Sequence, residues 1–232
     1  MKLSIIVPVY NEEKTVSKVL DELEVLNLGK IKKEIVVVDD GSSDSTFNKV
    51  RRRRIKLLQH SVNFGKGAAI RTGIKYSTGD YIIIQDADLE YNPVFFKKLL
   101  AKIKDEKVDV VYGTRINRFP NKKYEKNPTM LFHYLANRLF SLILSLLYQT
   151  WITDIETCYK LIPAKALRKI KLSSNGFEIE VEITSKLLKE GYSITEVPIE
   201  TDPRTYGEGK KFKTFRDGSR AFYSIFKYRM LD

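Results

Sequence analysis

An Asp-Ala-Asp tripeptide at residues 86–88 closely follows the apolar run Tyr81-Ile82-Ile83-Ile84. Carboxylates spaced in this way at the end of a buried run both turn into one cleft, where leaving them unpaired is costly. A divalent cation removes that cost. Mg²⁺ or Mn²⁺, held by one or two carboxylates and by substrate phosphates, is the arrangement that Asp86 and Asp88 suit. Glu90 adds a further oxygen ligand two residues on. A second acidic turn, Asp39-Asp40-Gly41-Ser42, follows Val36-Val37-Val38, and Ser43 or Asp44 beyond it also reads as a helix N-cap. No P-loop is present, and Gly65-Lys66-Gly67 is too short for a dinucleotide fingerprint. His60 and His133 have no neighbour at metal-ligand spacing and are assigned no role.

These residues need elements to carry them. Leu3 to Val9, Glu34 to Asp39, Ile55 to His60, Tyr81 to Asp86 and Val108 to Tyr112 are short Ile- and Val-rich runs that read as buried parallel strands. Helical spacing fills the intervals at Glu12 to Leu26, Asp44 to Arg53, Lys66 to Tyr76 and Pro93 to Lys104. Alternation of this kind predicts a doubly wound α/β sheet that binds ligands beyond the carboxyl ends of its strands, which is where the acidic turns lie. After Tyr112 the pattern changes to a basic loop from Gly113 to Asn127 and one or two helices from Pro128 to Gln149. Ile152 to Ile162 reads as strand or loop. A helix from Pro163, a helix over Glu178 to Lys189, a strand over Ser193 to Ile199, a basic loop and a terminal helix near Phe212 to Tyr228 follow. The expected organisation is one continuous domain, with a nucleotide-type cleft over residues 1–115 and a second half over 116–232.

The chain has 232 residues and a formal charge of +12. Its hydrophobic fraction of 43% suffices for a core and excludes a disordered chain. Cys158 is the only cysteine, which counts against a disulfide-stapled secreted protein; with no signal-peptide pattern, a cytoplasmic location is expected. The charge is concentrated at residues 49–56, 113–138 and 203–229. The last two stretches flank the predicted cleft, where they meet phosphates or an anionic membrane surface. Between Asn127 and Thr153 the only charged residue is Arg138, which raises the question of a membrane span. His133, Asn137, Ser141, Ser145 and Gln149 nevertheless form a slowly drifting polar stripe. An amphipathic helix lying at an interface or on the protein is therefore expected. Trp151 and Tyr148 at its end suit a membrane interface.

Ile5-Ile6-Val7-Pro8-Val9-Tyr10-Asn11-Glu12-Glu13, Val36-Val37-Val38-Asp39-Asp40-Gly41-Ser42, Asn63-Phe64-Gly65-Lys66-Gly67 and Asp86-Ala87-Asp88 together resemble family 2 glycosyltransferases of the GT-A fold. Arg115, the segment Thr153 to Lys160, Phe177-Glu178-Ile179-Glu180 and Arg204 to Lys211 are similar to the dolichyl-phosphate mannose and glucose synthase branch. The resemblance implies a mainly parallel sheet with a basic, amphipathic appendage on the acceptor side. It implies that Pro8, Tyr10, Glu12 and Asp39 contact the base and ribose of a nucleotide-sugar donor. Asp86, Asp88 and Glu90 would hold the metal, Asp86 serving the donor as well. The branch commonly has Gln at the position of Glu90, and Asp-x-x-Ser-Gly-Phe/Tyr-Arg where this chain has Asp154-Ile155-Glu156-Thr157-Cys158-Tyr159-Lys160. The chain ends at Lys227 to Asp232 without the C-terminal spans frequent in the branch, so membrane contact is expected to be peripheral or supplied by an anchoring partner protein.

The chemistry that follows is inverting transfer of a hexose from a donor of the GDP-mannose or UDP-glucose type to a polyprenyl phosphate at the cytosolic membrane face. The metal stabilises the leaving nucleoside diphosphate. A lipid phosphate is already an anion near neutral pH and needs positioning by Arg115, Arg138, Arg204 and Lys210 more than it needs a base. If the acceptor is instead a saccharide or protein hydroxyl, Asp154 or Glu156 is the expected base. For Glu178 and Glu180, helix capping is the competing reading. A basic nucleic-acid-binding protein is the non-enzyme alternative, but it has no use for an acidic cleft, and no nucleic-acid partner is expected.

Overall fold

The computed structural model describes residues 1–106, 108–116, 127–204, 211 and 214–231. Seven strands make one sheet: β1 Lys2–Val9, β2 Lys32–Asp39, β3 Lys56–Gln59, β4 Tyr81–Ile84, β5 Val110–Thr114, β6 Lys160–Pro163 and β7 Ile194–Pro198, in the order β3-β2-β1-β4-β6-β5-β7. From β1 the chain winds outward through β2 and β3, then returns to place β4 on the other side of β1. The order reverses between β1 and β4, and a crevice opens there beyond the strands' carboxyl ends. Pro8 to Glu12 and Asp86 to Glu90 are thereby brought side by side.

β1, β2 and β4 are buried along most of their length, as continuous apolar runs require. β3 differs from expectation. It is the edge strand, its residues half-buried or exposed, because only β2 pairs with it. β6 runs antiparallel to both β4 and β5. Its first residue therefore lies at the carboxyl end of its neighbours, so Thr153 to Tyr159, which lead into it, sit at the crevice. Pairing resolves the strand-or-loop ambiguity of this stretch.

Helices α1 Val16–Val25, α2 Thr46–Val50, α3 Lys66–Tyr76 and α4 Phe96–Glu106 connect the first five strands; α5 Pro128–Tyr148, α6 Ala164–Lys169, α7 Ile179–Lys189 and α8 Thr214–Met230 complete the described elements. The main core runs from Leu3 to Ile199 and draws on both halves of the chain. A smaller cluster of Leu144, Ile152, Ile155, Val181, Ala221 and Ile225 joins α5, α7 and α8.

The polar stripe of α5 faces inward. Asn137, Ser141 and Ser145 are buried, and the two serine hydroxyls bond the main chain of the segment before β6: Ser141 Oγ accepts from Ile155 N at 3.1 Å, and Ser145 Oγ accepts from Ile152 N at 3.0 Å and donates to Ile152 O at 3.1 Å. The helix spends its polar residues on buried backbone, leaving Phe132, Leu135, Leu139, Leu142 and Leu146 exposed. Leu147 packs inward on the smaller cluster. By length and composition α5 is also apolar enough to cross a membrane.

Candidate active site

The crevice is a cavity of about 840 Å³ walled by Pro8, Tyr10, Glu12, Asp86, Asp88, Glu90, Arg115, Glu156 and Arg204, among others. One turn aims Asp88 and Glu90. Leu89 has φ 65°, a left-handed conformation rare for a non-glycine residue; it turns the chain so that Glu90 N donates to Asp88 Oδ1 at 3.1 Å. Glycine is required on the opposite wall because the Ser174 to Gly176 main chain presses against it. A Cβ on Gly65 would meet Asn175 O at 2.3 Å, and one on Gly67 would meet Ser174 O at 2.4 Å. The Gly-Lys-Gly sequence serves close backbone approach, and it delivers Lys66 to the cavity.

Asp86, Glu180, Glu12, Asp88 and Glu90 each face a cation. Lys66 Nζ lies 2.8 Å from Asp86 Oδ1 and 3.3 Å from Glu180 Oε1, and Glu180 Oε2 accepts from the fully buried Lys160 at 2.5 Å. Asp86, Lys66, Glu180 and Lys160 thus form a chain of alternating charge running into the core. Burial alone would push the Lys66 ammonium down, but Asp86 and its other acidic neighbours hold it well above the ordinary lysine value. Glu180 is no helix cap; it is the buried partner of two lysines. Glu178 instead accepts from Gly176 N at 3.0 Å.

On the other side, the Arg204 guanidinium stands among Glu12, Asp88 and Glu90, at 3.1, 3.1 and 3.8 Å. Lys211 Nζ adds a 2.7 Å contact to Glu12. Burial, then the like charges of Asp86 and Glu90, push the Asp88 carboxyl up to about 7, Arg204 opposing. Among the described residues no three His, Cys, Asp or Glu side chains converge as a metal-binding group. The expected trio of Asp86, Asp88 and Glu90 is divided between two cations, while the mutual repulsion felt at Asp88 is what a divalent ion would relieve. By that criterion the residues fit such an ion.

Several expected site residues lie elsewhere. Asp39 is fully buried off the wall, accepting from Ser42 Oγ and, at 3.3 Å, from Gln59 Nε2. It holds the β2 turn from beneath, whereas Pro8, Tyr10 and Glu12, the others expected at the base and ribose, line the wall. Asp154 is also fully buried. Its Oδ2 accepts from Arg115 N at 2.9 Å and Nε at 2.7 Å, and its Oδ1 from Arg115 NH2 and Asn137 Nδ2, each at 2.7 Å. Although burial opposes it, Arg115 holds this carboxyl below the usual range. With both oxygens occupied, Asp154 orients Arg115 and is not a free base. Arg138 stacks over Trp151 at 6.0 Å on the outer surface, away from the cavity, because its position on α5 lies off the inward stripe. Arg204 faces carboxylates, not an open acceptor side. Lys210 lies outside the described residues, as do residues 117–126 of the basic loop.

Two groups had little sequence signal. Glu196 on β7 accepts from Thr153 N at 2.9 Å, Thr153 Oγ1 at 2.8 Å and Asp154 N at 3.1 Å, clamping the segment that holds Arg115; an acid within a short strand was its only mark. His60, left without a role, bridges Asp40 Oδ1 at 2.6 Å and Thr72 Oγ1 at 2.9 Å, while Asp40 also accepts from Phe64 N and Gly65 N. That network fixes the loop carrying Gly65.

A mostly parallel sheet with an acidic crevice at its switch point is the GT-A architecture. Residues 4–171 match the model of glycosyl transferase family 2, and the chain belongs to that family. An uncharacterized protein of Methanocaldococcus jannaschii is 33% identical over 207 residues, covering 82% of this chain and 84% of that protein. The dolichol-phosphate mannosyltransferase of Pyrococcus furiosus is 29% identical over 98% of this chain, which spans 64% of its length. Among solved structures, glucosyl-3-phosphoglycerate synthase from Mycobacterium tuberculosis with Mn²⁺, UDP and phosphoglyceric acid superimposes with a TM-score of 0.74 at 16% identity, over 100% of this chain and 79% of that one. The same enzyme with Mg²⁺ and UDP gives 0.74 at 18% identity, over 98% and 79%. These likenesses establish the fold.

Proposed function

We propose that this glycosyltransferase moves a hexose from a nucleotide sugar to a polyprenyl phosphate presented at a membrane surface, with a divalent metal as cofactor. One observation carries the acceptor side. α5 and α8 both wall the cavity, through Met130, His133, Tyr134 and Asn137 on one and Arg216 and Arg220 on the other. Both also carry an exposed apolar face: Phe132, Leu135, Leu139, Leu142 and Leu146, beside Phe215, Phe222, Tyr223 and Met230. The cavity mouth and a lipid-compatible surface are thus built from the same two helices, which also carry Arg138, Arg220, Lys227 and Arg229. The named activity of the Pyrococcus relative supports the same reading.

Asp86, Asp88 and Glu90 would hold the metal, as bound Mn²⁺ and Mg²⁺ in the Mycobacterium enzyme support. When bound, it supplies Lewis-acid stabilisation of the leaving diphosphate. Pro8 and Tyr10 position the donor. Arg115, aimed by Asp154 and Glu196, meets the acceptor phosphate with Arg216 and Arg220. The attacking phosphate oxygen is already anionic, so no proton need be removed.

Radiolabelled transfer from GDP-mannose and from UDP-glucose into organic-extractable polyprenyl phosphate tests this reading. A hydroxyl acceptor is the second reading, and Glu156 favours it. That residue lies on the wall, and burial foremost, with nearby Asp154, pushes its carboxyl up to about 7 against the pull of Arg115. A base must be ionised, so with a hydroxyl acceptor the rate would rise with pH through about 7 and collapse in Glu156→Gln. With polyprenyl phosphate, we expect Glu156→Gln to retain transfer within about threefold, against the roughly 10²- to 10⁴-fold that a proton-transfer catalyst contributes. Collapse of lipid-phosphate transfer in that variant would overturn the base-free mechanism.

The surface reading makes its own prediction. Each leucine buried in lipid contributes about 1.5–3 kcal/mol, and each nearby Lys or Arg about 1 kcal/mol at an anionic surface. Replacing Leu139, Leu142 and Leu146 by Ser should therefore reduce sedimentation with anionic vesicles by more than about tenfold, and added salt should weaken binding of the parent. Unchanged binding in the triple variant would remove these helices from the membrane contact.

A further inference from the structure

Two of the cavity's arginines, Arg115 and Arg204, are held very differently. Arg115 makes short, bidentate contacts to a single carboxylate, with nitrogen-to-oxygen distances of 2.7 Å, the geometry of a committed pair. Arg204 is spread over Glu12, Asp88 and Glu90 at 3.1 to 3.8 Å. Its Nε is buried with no hydrogen-bond partner. Two of its nitrogens donate to Glu12, NH1 to Oε2 at 3.3 Å and NH2 to Oε1 at 3.1 Å, while its approach to Asp88 and Glu90 is through NH2 and Nε. Its main chain, by contrast, is pinned to the Glu90 turn: Asp202 N donates to Glu90 O at 2.9 Å, and Arg204 N donates to Glu90 Oε1 at 3.1 Å. The backbone is anchored, and the side chain is shared between Glu12 and the acids Asp88 and Glu90.

We propose that Arg204 is a resident counter-cation of the donor-site carboxylates, which a divalent metal must displace before it can bind. This rests on the metal-dependent reading above and extends it. Asp88 and Glu90 are at once the ligands offered to a metal and the partners of Arg204, so the two cations compete for the same oxygens and repel each other if both are present. Without nucleotide, metal binding must break the arginine's pairs to Asp88 and Glu90 and leave the guanidinium with Glu12 alone. A nucleoside diphosphate changes that balance. It brings phosphate oxygens within reach of a side chain whose backbone cannot leave the cavity wall, and the displaced guanidinium exchanges carboxylate for phosphate. Metal and donor therefore load together, and the metal alone binds weakly.

Mn²⁺ titration followed by electron paramagnetic resonance reads this directly, without turnover. In the absence of nucleotide, Arg204→Gln should bind Mn²⁺ about tenfold more tightly than the parent, the scale of lost competition from hydrogen bonds between charged groups. With saturating UDP or GDP the advantage should vanish or reverse. Arg204→Lys retains a cation and should fall between the two, which keeps the test readable if the Gln variant melts early. Equal or weaker Mn²⁺ binding by Arg204→Gln without nucleotide would overturn the inference and leave the glycosyltransferase reading standing. Failure of every form to bind Mn²⁺, even with nucleotide, would remove the metal reading and the inference with it.

Discussion

Replacing Asp88 by Asn is expected to reduce hexose transfer by about 10²- to 10³-fold, the scale of removing one group that stabilises developing charge, while leaving the metal-free protein at least as stable. The two effects have one cause. Asp88 is crowded by burial and by Asp86 and Glu90, which together push its carboxyl up to about 7 despite Arg204. A carboxyl raised above its unfolded value contributes stability that is complete below about pH 4 and is lost as pH rises through about 7. At pH 8 the ionised Asp88 therefore costs the metal-free fold stability, and Asn removes the cost. The melting temperature of Asp88→Asn without metal should equal or exceed the parent's at pH 8, and the gain should disappear towards pH 5. A function-bearing group kept at the expense of stability is the pattern expected of an active site. Transfer near the parental rate would eliminate Asp88 from the metal site; an unfolded variant would assign it to the scaffold.

Lys160→Met is expected to have the largest effect on stability. Lys160 is fully buried, and its ammonium donates to Ile155 O at 2.9 Å, Glu180 O at 3.1 Å and Glu180 Oε2 at 2.5 Å. Methionine fills similar space but leaves Glu180 with Lys66 as its remaining cation, and Lys66 is already engaged by Asp86. Breaking a buried pair from one side costs about 3–5 kcal/mol, or about 6–20 °C in melting temperature for a chain of this size. Because the charge chain ends at Asp86, donor binding should weaken as well. Lys160→Met combined with Glu180→Leu should recover part of the lost stability, since the uncompensated carboxylate is gone. A single variant within about 1 kcal/mol of the parent, the range of an exposed ion pair, would show that the chain of charges adds nothing to the fold.

The acids at the strand ends were legible in the sequence because the signal is local. An uninterrupted run such as Tyr81 to Ile84 must be buried, and carboxylates just beyond it must face a cleft. The alternation of such runs with helical spacing was enough for the α/β class, and the positions of Pro8, Tyr10, Glu12, Asp86, Asp88, Glu90 and Arg115 on one wall follow from it. The α5 stripe was legible as a stripe, but its direction was not. Periodicity reports which residues share a face and says nothing of what that face meets. Here it meets the unpaired main chain of Ile152 and Ile155, so the serines turn inward and the leucines outward.

Partnerships across long separations were decided by tertiary structure alone. Arg115 and Asp154 are 39 residues apart, and Arg204 and Glu12 are 192 apart. No local pattern distinguishes an arginine that will grip a buried aspartate from one that will share a cluster of carboxylates or stack on Trp151. Charge tells which groups attract, while the fold decides which of them meet. The antiparallel insertion of β6 between β4 and β5 is the step that made those choices: it carries Asp154 beneath Arg115, Glu156 onto the cavity wall and Lys160 into the core against Glu180. By itself, the sequence determined the sheet, its acidic rim and the family. Which acid pairs with which cation was settled by packing, because burial makes an unpaired charge costly and only the folded chain determines which partners are within reach.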